Sequence, residues 1–210
     1  MSTLDMSTHD IRDLSSLRQI IGDARSGLAA KNQPQLNTTA IDFLARCPFV
    51  VLSTADENGR VDASPKGDAP GFILVEDMQT IVIPDRPGNK LVYGLENILA
   101  NPQVGLLCMI PNTQETLRIN GRAELTADPQ LLTQLAARGK NAIIAIRVHI
   151  DECFFHCAKA FIRSGLWEPE SWGAKDRISF GKLFAEMNGA DETVAKAIDL
   201  SIEENYRTGL

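Results

Sequence analysis

Apolar and polar residues alternate from Thr116 to Leu125. Leu117, Ile119, Ala123 and Leu125 fall on one side, and Thr116, Arg118, Asn120, Arg122 and Glu124 on the other. A period of two marks a half-buried strand. Ala142 to Ile150 repeats the pattern, with Ile144, Ile146, Val148 and Ile150 opposite Arg147 and His149. Val104 to Ile110 is apolar throughout, which predicts a strand covered on both faces. Four shorter runs, Phe49 to Thr54, Val61 to Ser64, Phe72 to Val75 and Thr80 to Ile83, form two pairs. The first pair is split by Asp56-Glu57-Asn58-Gly59, and Asn-Gly supplies the positive φ angles of a tight hairpin. The second pair turns across Glu76 to Gln79.

Elsewhere the period is helical. Ile11, Leu14, Leu17 and Ile21 predict a helix over 10–21, capped by Asp10 or Thr8 and stopped at Gly22. Ala40 to Arg46 reads as a short helix, capped by Thr38 or Thr39 and ended by Pro48. Leu91, Leu95 and Ile98 predict one over Lys90 to Leu99, stopped by Asn101-Pro102. Asp128 opens another to about Arg138, and Cys153 to Phe161 continues extended or turns into a short helix. Phe180, Leu183, Phe184 and Met187 mark a helix closed by Asn188-Gly189, and Val194, Ile198, Ile202 and Tyr206 mark the last. Six or seven short strands with few helices between them predict a mainly β, α+β fold: a small antiparallel barrel with helices at both ends. The expected organisation is an arm and helix over 1–37, a barrel over 38–167 and a helical extension over 168–210.

Composition narrows the classes of partner. The chain has 210 residues, 44% hydrophobic and 23% charged, with a formal net charge of -6. Nucleic acid and anionic membrane reward an excess of Lys and Arg, so neither is expected as a partner. No apolar run approaches the roughly 20 residues needed to span a bilayer, and Met1 to Asp10 lacks the apolar core of a signal peptide. The expectation is a cytoplasmic protein whose Cys47, Cys108, Cys153 and Cys157 stay reduced.

Two turns attached to strands carry the candidate chemistry. Pro84-Asp85-Arg86-Pro87-Gly88-Asn89-Lys90 ends one strand, and Lys90 opens the helix predicted next. A helix start has unpaired N–H groups and the positive end of the dipole, Arg86 offers a planar fork, and Asn89 can donate or cap. That suits an anion; a solvated surface turn explains the same residues. Ser64-Pro65-Lys66-Gly67 reads as a second turn, with a Lys near the anion or near an electron-poor ring. Arg118 and Asn120 line a cleft or face water. Arg163 and Trp167 place a cation beside an indole, which covers a flat cofactor or pins the tail to the barrel. Cys153-x-x-His156-Cys157 is one ligand short of a zinc site, since neither Cys47 nor Cys108 makes a second pair. His149 and His156 show no acid–base partner in the sequence.

Taken in order, these segments resemble the pyridoxamine 5'-phosphate oxidase-like FMN-binding split-barrel family. The resemblance rests on Ser64-Pro65-Lys66-Gly67, Ile83-Pro84-Asp85-Arg86-Pro87-Gly88-Asn89-Lys90, Asn101-Pro102 before an apolar strand, Leu117 to Glu124, and Cys153 to Trp167. It runs from about Phe43 to Trp167. It implies a six-stranded antiparallel split barrel, a homodimer, and FMN sites at the dimer interface lined by both subunits. Arg86 and Lys90 are similar to the family's phosphate pair, with Asn89 between them. Ser64, Pro65, Lys66 and Gly67 correspond to strand-end contacts along the ribityl chain and ring. Ile83 and Pro84 correspond to backbone against the flavin, and Arg118, Arg163 and Trp167 to contacts from the partner subunit or the tail.

The vitamin B6 oxidases carry an Arg where Val61 stands here and a Gln where Thr116 stands. Their C-terminal substrate motif has no counterpart. The chain therefore resembles the uncharacterised bacterial branch of the family. The implied function is an FMN-dependent oxidoreductase acting on a small molecule. The flavin supplies the hydride chemistry, so no protein acid or base is required. The alternatives are a non-catalytic flavin or haem binder, with His149 or His156 as axial ligand, and a deazaflavin-dependent reductase.

Overall fold

A computed structural model describes residues 10–209 of the chain. The chain divides into two units, 1–32 and 33–210. In the first, α1 (Leu14–Ile21) starts where the Asp13 carboxylate accepts the Ser16 N–H, and it ends at Gly22, whose φ is 80°. The helix begins later than the sequence pattern predicts because Asp13 takes the cap. Asp10 does not cap it, and Thr8 lies outside the described residues.

The second unit is built on one antiparallel sheet. Its strands are β1 (Phe49–Ala55), β2 (Val61–Gly67), β3 (Leu74–Asp77), β4 (Thr80–Asp85), β5 (Gln103–Met109), β6 (Thr116–Thr126) and β7 (Ile144–His156). They lie in the order β2-β1-β5-β6-β7-β4-β3. The sheet has seven strands rather than the six the resemblance implies, because the four-residue β3 adds itself to the outer edge of β4. In a flat sheet five strand steps of about 4.8 Å would set β2 and β4 about 24 Å apart. Yet Lys66 at the end of β2 forms an ion pair with Asp85 at the end of β4, and Asp68 reaches Arg86 at 2.9 Å. The sheet is therefore rolled, and side chains bridge its seam.

The inner face is the core the alternation predicts. Val50, Leu52, Leu106, Cys108, Leu117, Ile119, Val148 and Ile83 are buried in one cluster. Leu36 joins it with Ala40, Phe43 and Leu44 from α2 (Thr38–Leu44), and Leu95 and Ile98 from α3 (Tyr93–Ala100). Burying one such side chain stabilises the fold by about 1.5–3 kcal/mol. A smaller cluster lies behind β4 and β7. There Val82, Ala142 and Ala145 meet Leu131 and Leu135 of α4 (Pro129–Gln134) and its end.

Several elements depart from the sequence pattern, each for a local reason. Asn37, not Thr38 or Thr39, caps α2, its side chain accepting the Ala40 N–H at 2.9 Å. In the β1–β2 connection Gly59 alone has positive φ, and Asp56 gathers the Asn58 and Arg60 amides on its carboxylate, so the tight two-residue turn is replaced by a wider one. Ser64 to Gly67 is not a turn. It continues β2, paired with Leu52 to Phe49. Pro65 is tolerated there because β2 is an edge strand and needs no outward N–H. Strand β7 runs unbroken through Cys153 to His156, held by the full length of β6.

After β7 come α5 (Lys159–Ser164), α6 (Phe180–Asn188), closed by Gly189 at φ 64°, and α7 (Glu192–Thr208). Among the described residues no helix is long and apolar enough to cross a membrane.

Candidate functional site

The rolled sheet brings the ends of β2 and β4 together, and with them Ser64, Lys66, Gly67, Ile83, Pro84 and Arg86. The chain leaving β2 is fixed by the Asp68 N–H, which donates to the Pro48 carbonyl at 3.1 Å. The end of β4 is fixed by β7, whose Ile144 pairs with Asp85. Ile83 and Pro84 are buried, so they present backbone rather than side chain. Ser64 Oγ donates to the Asp62 carboxylate at 2.6 Å.

The cations at this junction already have internal partners. Lys66 donates to Asp85. Arg86 Nε donates to Asp68 Oδ2 at 2.9 Å, and Arg138 Nη1 stands 3.2 Å from Asp68 Oδ1. The Asp68 side chain is only 3% exposed, while Arg86 keeps 25%. Arg86 Nη1 is buried and has no hydrogen-bond partner. A buried donor left unpaired costs about 1–3 kcal/mol. Asp68 takes the Nε edge of the guanidinium, so the Nη edge is left for an anion. An orphaned guanidinium N–H beside a strand end fits a phosphate.

Asn89 and Lys90 do not join this cluster. Both are exposed. Asn89 Oδ1 accepts the Leu91 N–H at 3.0 Å, and Lys90 takes a left-handed φ of 62°. Helix α3 therefore starts only at Tyr93, capped by Val92 without a side-chain bond. Lys90 is outside its first turn, and the dipole argument for that position does not hold.

Arg118, Arg163 and Trp167 stand on other elements. Arg118 lies on the outer face of β6, its guanidinium 5.1 Å from the centre of the Phe154 ring. Trp167 donates its indole N–H to the Thr113 carbonyl at 2.9 Å and stacks on Phe161 at 5.7 Å. That fastens the α5 region to the β5–β6 connection. Arg163 is exposed on α5.

Sequence reasoning missed Asp68, Asp85 and Arg138. Asp68 and Asp85 lie beside the motif cations in sequence, but adjacency does not show which cation each meets across the seam. Arg138 sits in the turn after α4, at φ 51°, and no local signal ties it to residues 50–70 positions earlier.

Cysteine and histidine chemistry is dispersed. Cys153 is buried and its thiol donates to the Gln35 carbonyl at 3.1 Å, whereas His156, three residues along the same strand, is exposed. Alternate faces of β7 keep them apart. Among the described residues no group of three His, Cys, Asp or Glu is placed to hold a metal ion. His149 Nε2 is 3.9 Å from Glu124, which also receives Arg147. A hydrogen bond to Cys47 and burial push the Cys108 thiol up, so it stays protonated in the core.

A family model described as "Pyridoxamine 5'-phosphate oxidase" matches residues 36–157. No curated protein matches the chain. Solved structures similar to it include HupZ of Group A Streptococcus, with 14% identity, a TM-score of 0.47, and 57% of this chain and 93% of that one covered. General Stress Protein 26 from Bacillus anthracis has 18% identity, a TM-score of 0.41, and coverage of 55% and 89%. An FMN-binding protein from Syntrophomonas wolfei has 10% identity, a TM-score of 0.43, and coverage of 56% and 81%.

Proposed function

Because the chain belongs to the pyridoxamine 5'-phosphate oxidase family, we propose that it is an FMN-dependent oxidoreductase of the cytoplasm, acting on a small molecule as a homodimer. The observation that carries this reading is Arg86. Its Nε is locked by Asp68, and its Nη1 is buried with no acceptor. A flavin phosphate would supply the missing acceptor, and Lys66 and Ser64 on β2 would then hold the rest of the cofactor. Pro65 and Gly67 offer low side-chain bulk on the same strand, as do the backbones of Ile83 and Pro84 on β4.

When bound, the flavin supplies hydride transfer at its ring nitrogen. The protein's share is binding and orientation. Asp68 holds the Arg86 fork in one rotamer, and Asp85 holds Lys66. The buried Ile83 and Pro84 exclude water from the floor of the site. No side chain at this junction is assigned a proton-transfer role.

The homodimer reading is supported by the outer face of the sheet. Phe49 pairs with Met109, Val51 with Leu107, Leu107 with Arg118 and Arg118 with Phe154. Apolar side chains of β1, β5 and β7 thus lie on the outer face, with Arg118 of β6 between them. A second subunit on that face would place Arg118, Arg163 or Trp167 near its neighbour's flavin.

The test is the absorbance spectrum and mass of what stays bound after incubation with FMN and desalting. Retained flavin absorbance with the mass of FMN is expected. A colourless protein refutes the reading. Retained deazaflavin in preference to FMN, or a Soret band on haem addition that is lost on replacing His149 or His156, moves the assignment to those cofactors.

A further inference from the structure

Two thiols from distant parts of the chain meet in the core behind the anion site. Cys47 lies in the connection between α2 and β1, and Cys108 lies on the inner face of β5, opposite Val50. Cys47 Sγ donates to the Phe49 carbonyl at 3.1 Å and to the carbonyl of Met109, the residue after Cys108, at 3.4 Å. The Cys108 thiol hydrogen-bonds Cys47 in turn. Both side chains are fully buried. Burial alone raises the pKa of both thiols. Here the hydrogen bond from Cys108 pulls the Cys47 thiol down to about 7, while the same bond and burial push Cys108 up. One sulfur ionises near neutral pH and the other keeps its proton, as an attacking and a resolving thiol do.

The backbone around Cys47 carries one side of the anion site. The Cys47 carbonyl accepts the Gly71 N–H at 3.3 Å, and the Pro48 carbonyl accepts the Asp68 N–H at 3.1 Å. Gly71, at φ 82°, comes so close that a Cβ there would lie 2.9 Å from the Ala45 carbonyl oxygen. Residues 68–71 thus lie along 45–48, and Ala45, Arg46, Ala69, Pro70 and Gly71 are exposed. Cys47 is one layer below solvent, under the segment whose Asp68 holds Arg86. Local opening of that segment admits a small oxidant.

We propose that Cys47 and Cys108 are a redox pair that hydrogen peroxide closes to a disulfide, and that closure loosens the anion site. The Cys47 thiolate attacks one peroxide oxygen. An S–O bond forms, the O–O bond breaks, and the departing hydroxide takes up the proton that Cys47 released, giving water. The Cys108 sulfur then attacks the Cys47 sulfur. The S–S bond forms, the S–O bond breaks, and the hydroxyl leaves with the Cys108 proton as a second water. Two thiols are oxidised and one peroxide is reduced. An S–S bond is much shorter than a hydrogen-bonded contact, so closure draws Cys47 toward β5 and away from Gly71 and Asp68. By linkage, an anion that binds the reduced form more tightly opposes the disulfide by the same factor. The consequence for a cofactor rests on the flavin reading; the disulfide and the loosening do not.

The full-length Cys157→Ser protein, which lacks the exposed thiol, is treated with hydrogen peroxide and digested without reduction. A peptide joining Cys47 to Cys108 is expected, with faster hydrogen exchange at the Asp68 and Gly71 amides of the oxidised form. FMN is expected to bind that form at least about threefold more weakly than the reduced one. Absence of the joined peptide overturns the pair. A joined peptide with unchanged exchange at Asp68 and Gly71, or with FMN bound equally by both forms, overturns the link to the anion site. Faster exchange in a protein that binds FMN in neither form supports the loosening and sinks the flavin reading instead. Cys108→Ser, on the same background, cannot form the disulfide. A peroxide effect of equal size in that variant overturns the disulfide as its cause.

Discussion

Arg86→Ala removes the fork whose Nη1 lacks an acceptor and leaves the rest of the junction in place. Hydrogen bonds to charged groups contribute about 1.5–3 kcal/mol each. Two N–H groups meeting one phosphate therefore account for about 3–6 kcal/mol, or roughly a 10²- to 10⁴-fold change in dissociation constant at 1.4 kcal/mol per tenfold. The Asp68 carboxylate loses Nε but keeps Arg138 at 3.2 Å, so the fold survives with a small drop in melting temperature. The assay is fluorescence titration with FMN and, in parallel, with riboflavin, which has the same ring and no phosphate. The substitution should weaken FMN by that factor and leave riboflavin within about threefold, a window of under 1 kcal/mol. An FMN constant within threefold of wild type, in a variant shown to be folded, refutes the assignment. So does an equal loss for both ligands, which would point to a general disturbance of the strand ends.

Lys90→Ala should change FMN affinity by less than about threefold, because an exposed cation outside the helix start gains little in water; the same titration checks it. Gly181→Ala forces a methyl into the Ala195 carbonyl and should destabilise the α6–α7 hairpin by about 1–3 kcal/mol or more. That is read as faster hydrogen exchange of α6 amides with β-sheet amides unchanged. The Ser179 hydroxyl and the Gly181 N–H hold the Asp199 carboxyl below the usual carboxylate range. Its contribution is therefore complete at neutral pH and is lost as pH falls through that depressed value. Hairpin exchange should accelerate in acid, and Asp199→Asn should remove that dependence while leaving exchange faster at neutral pH.

The strands were legible because their chemistry is periodic. Thr116 to Leu125 alternates, and its apolar half is the buried half. The ion pairs of the site were not legible. Lys66 meets Asp85 and Arg86 meets Asp68 only because a seven-strand sheet rolls until its first and sixth strands touch, a global event with no local signature. The Ser64-Pro65-Lys66-Gly67 segment contains turn residues, yet it is a strand. Its partner β1 supplies hydrogen bonds on one side, and nothing on the other side requires the missing proline N–H. At Lys90 the sequence offered a helical stripe beginning with Leu91, but the Asn89 side chain captured the Leu91 N–H and delayed the helix to Tyr93.

The strand order also sets when the site can exist. β2 and β4 are close in sequence, and neither pairs with the other. β4 takes its register from β7, across the separation between Thr80–Asp85 and Ile144–His149. During synthesis the β1–β2 hairpin can form early, whereas the β3–β4 hairpin has no sheet to join until some 60 further residues have emerged. The long-range closure of β4 onto β7 is the slow kind of contact, because the loop entropy is lost before the pairing is gained. Arg86 thus reaches Asp68 only after β7 is in place. A chain truncated before Ile144 would retain both halves of the Arg86–Asp68 junction and no means of joining them.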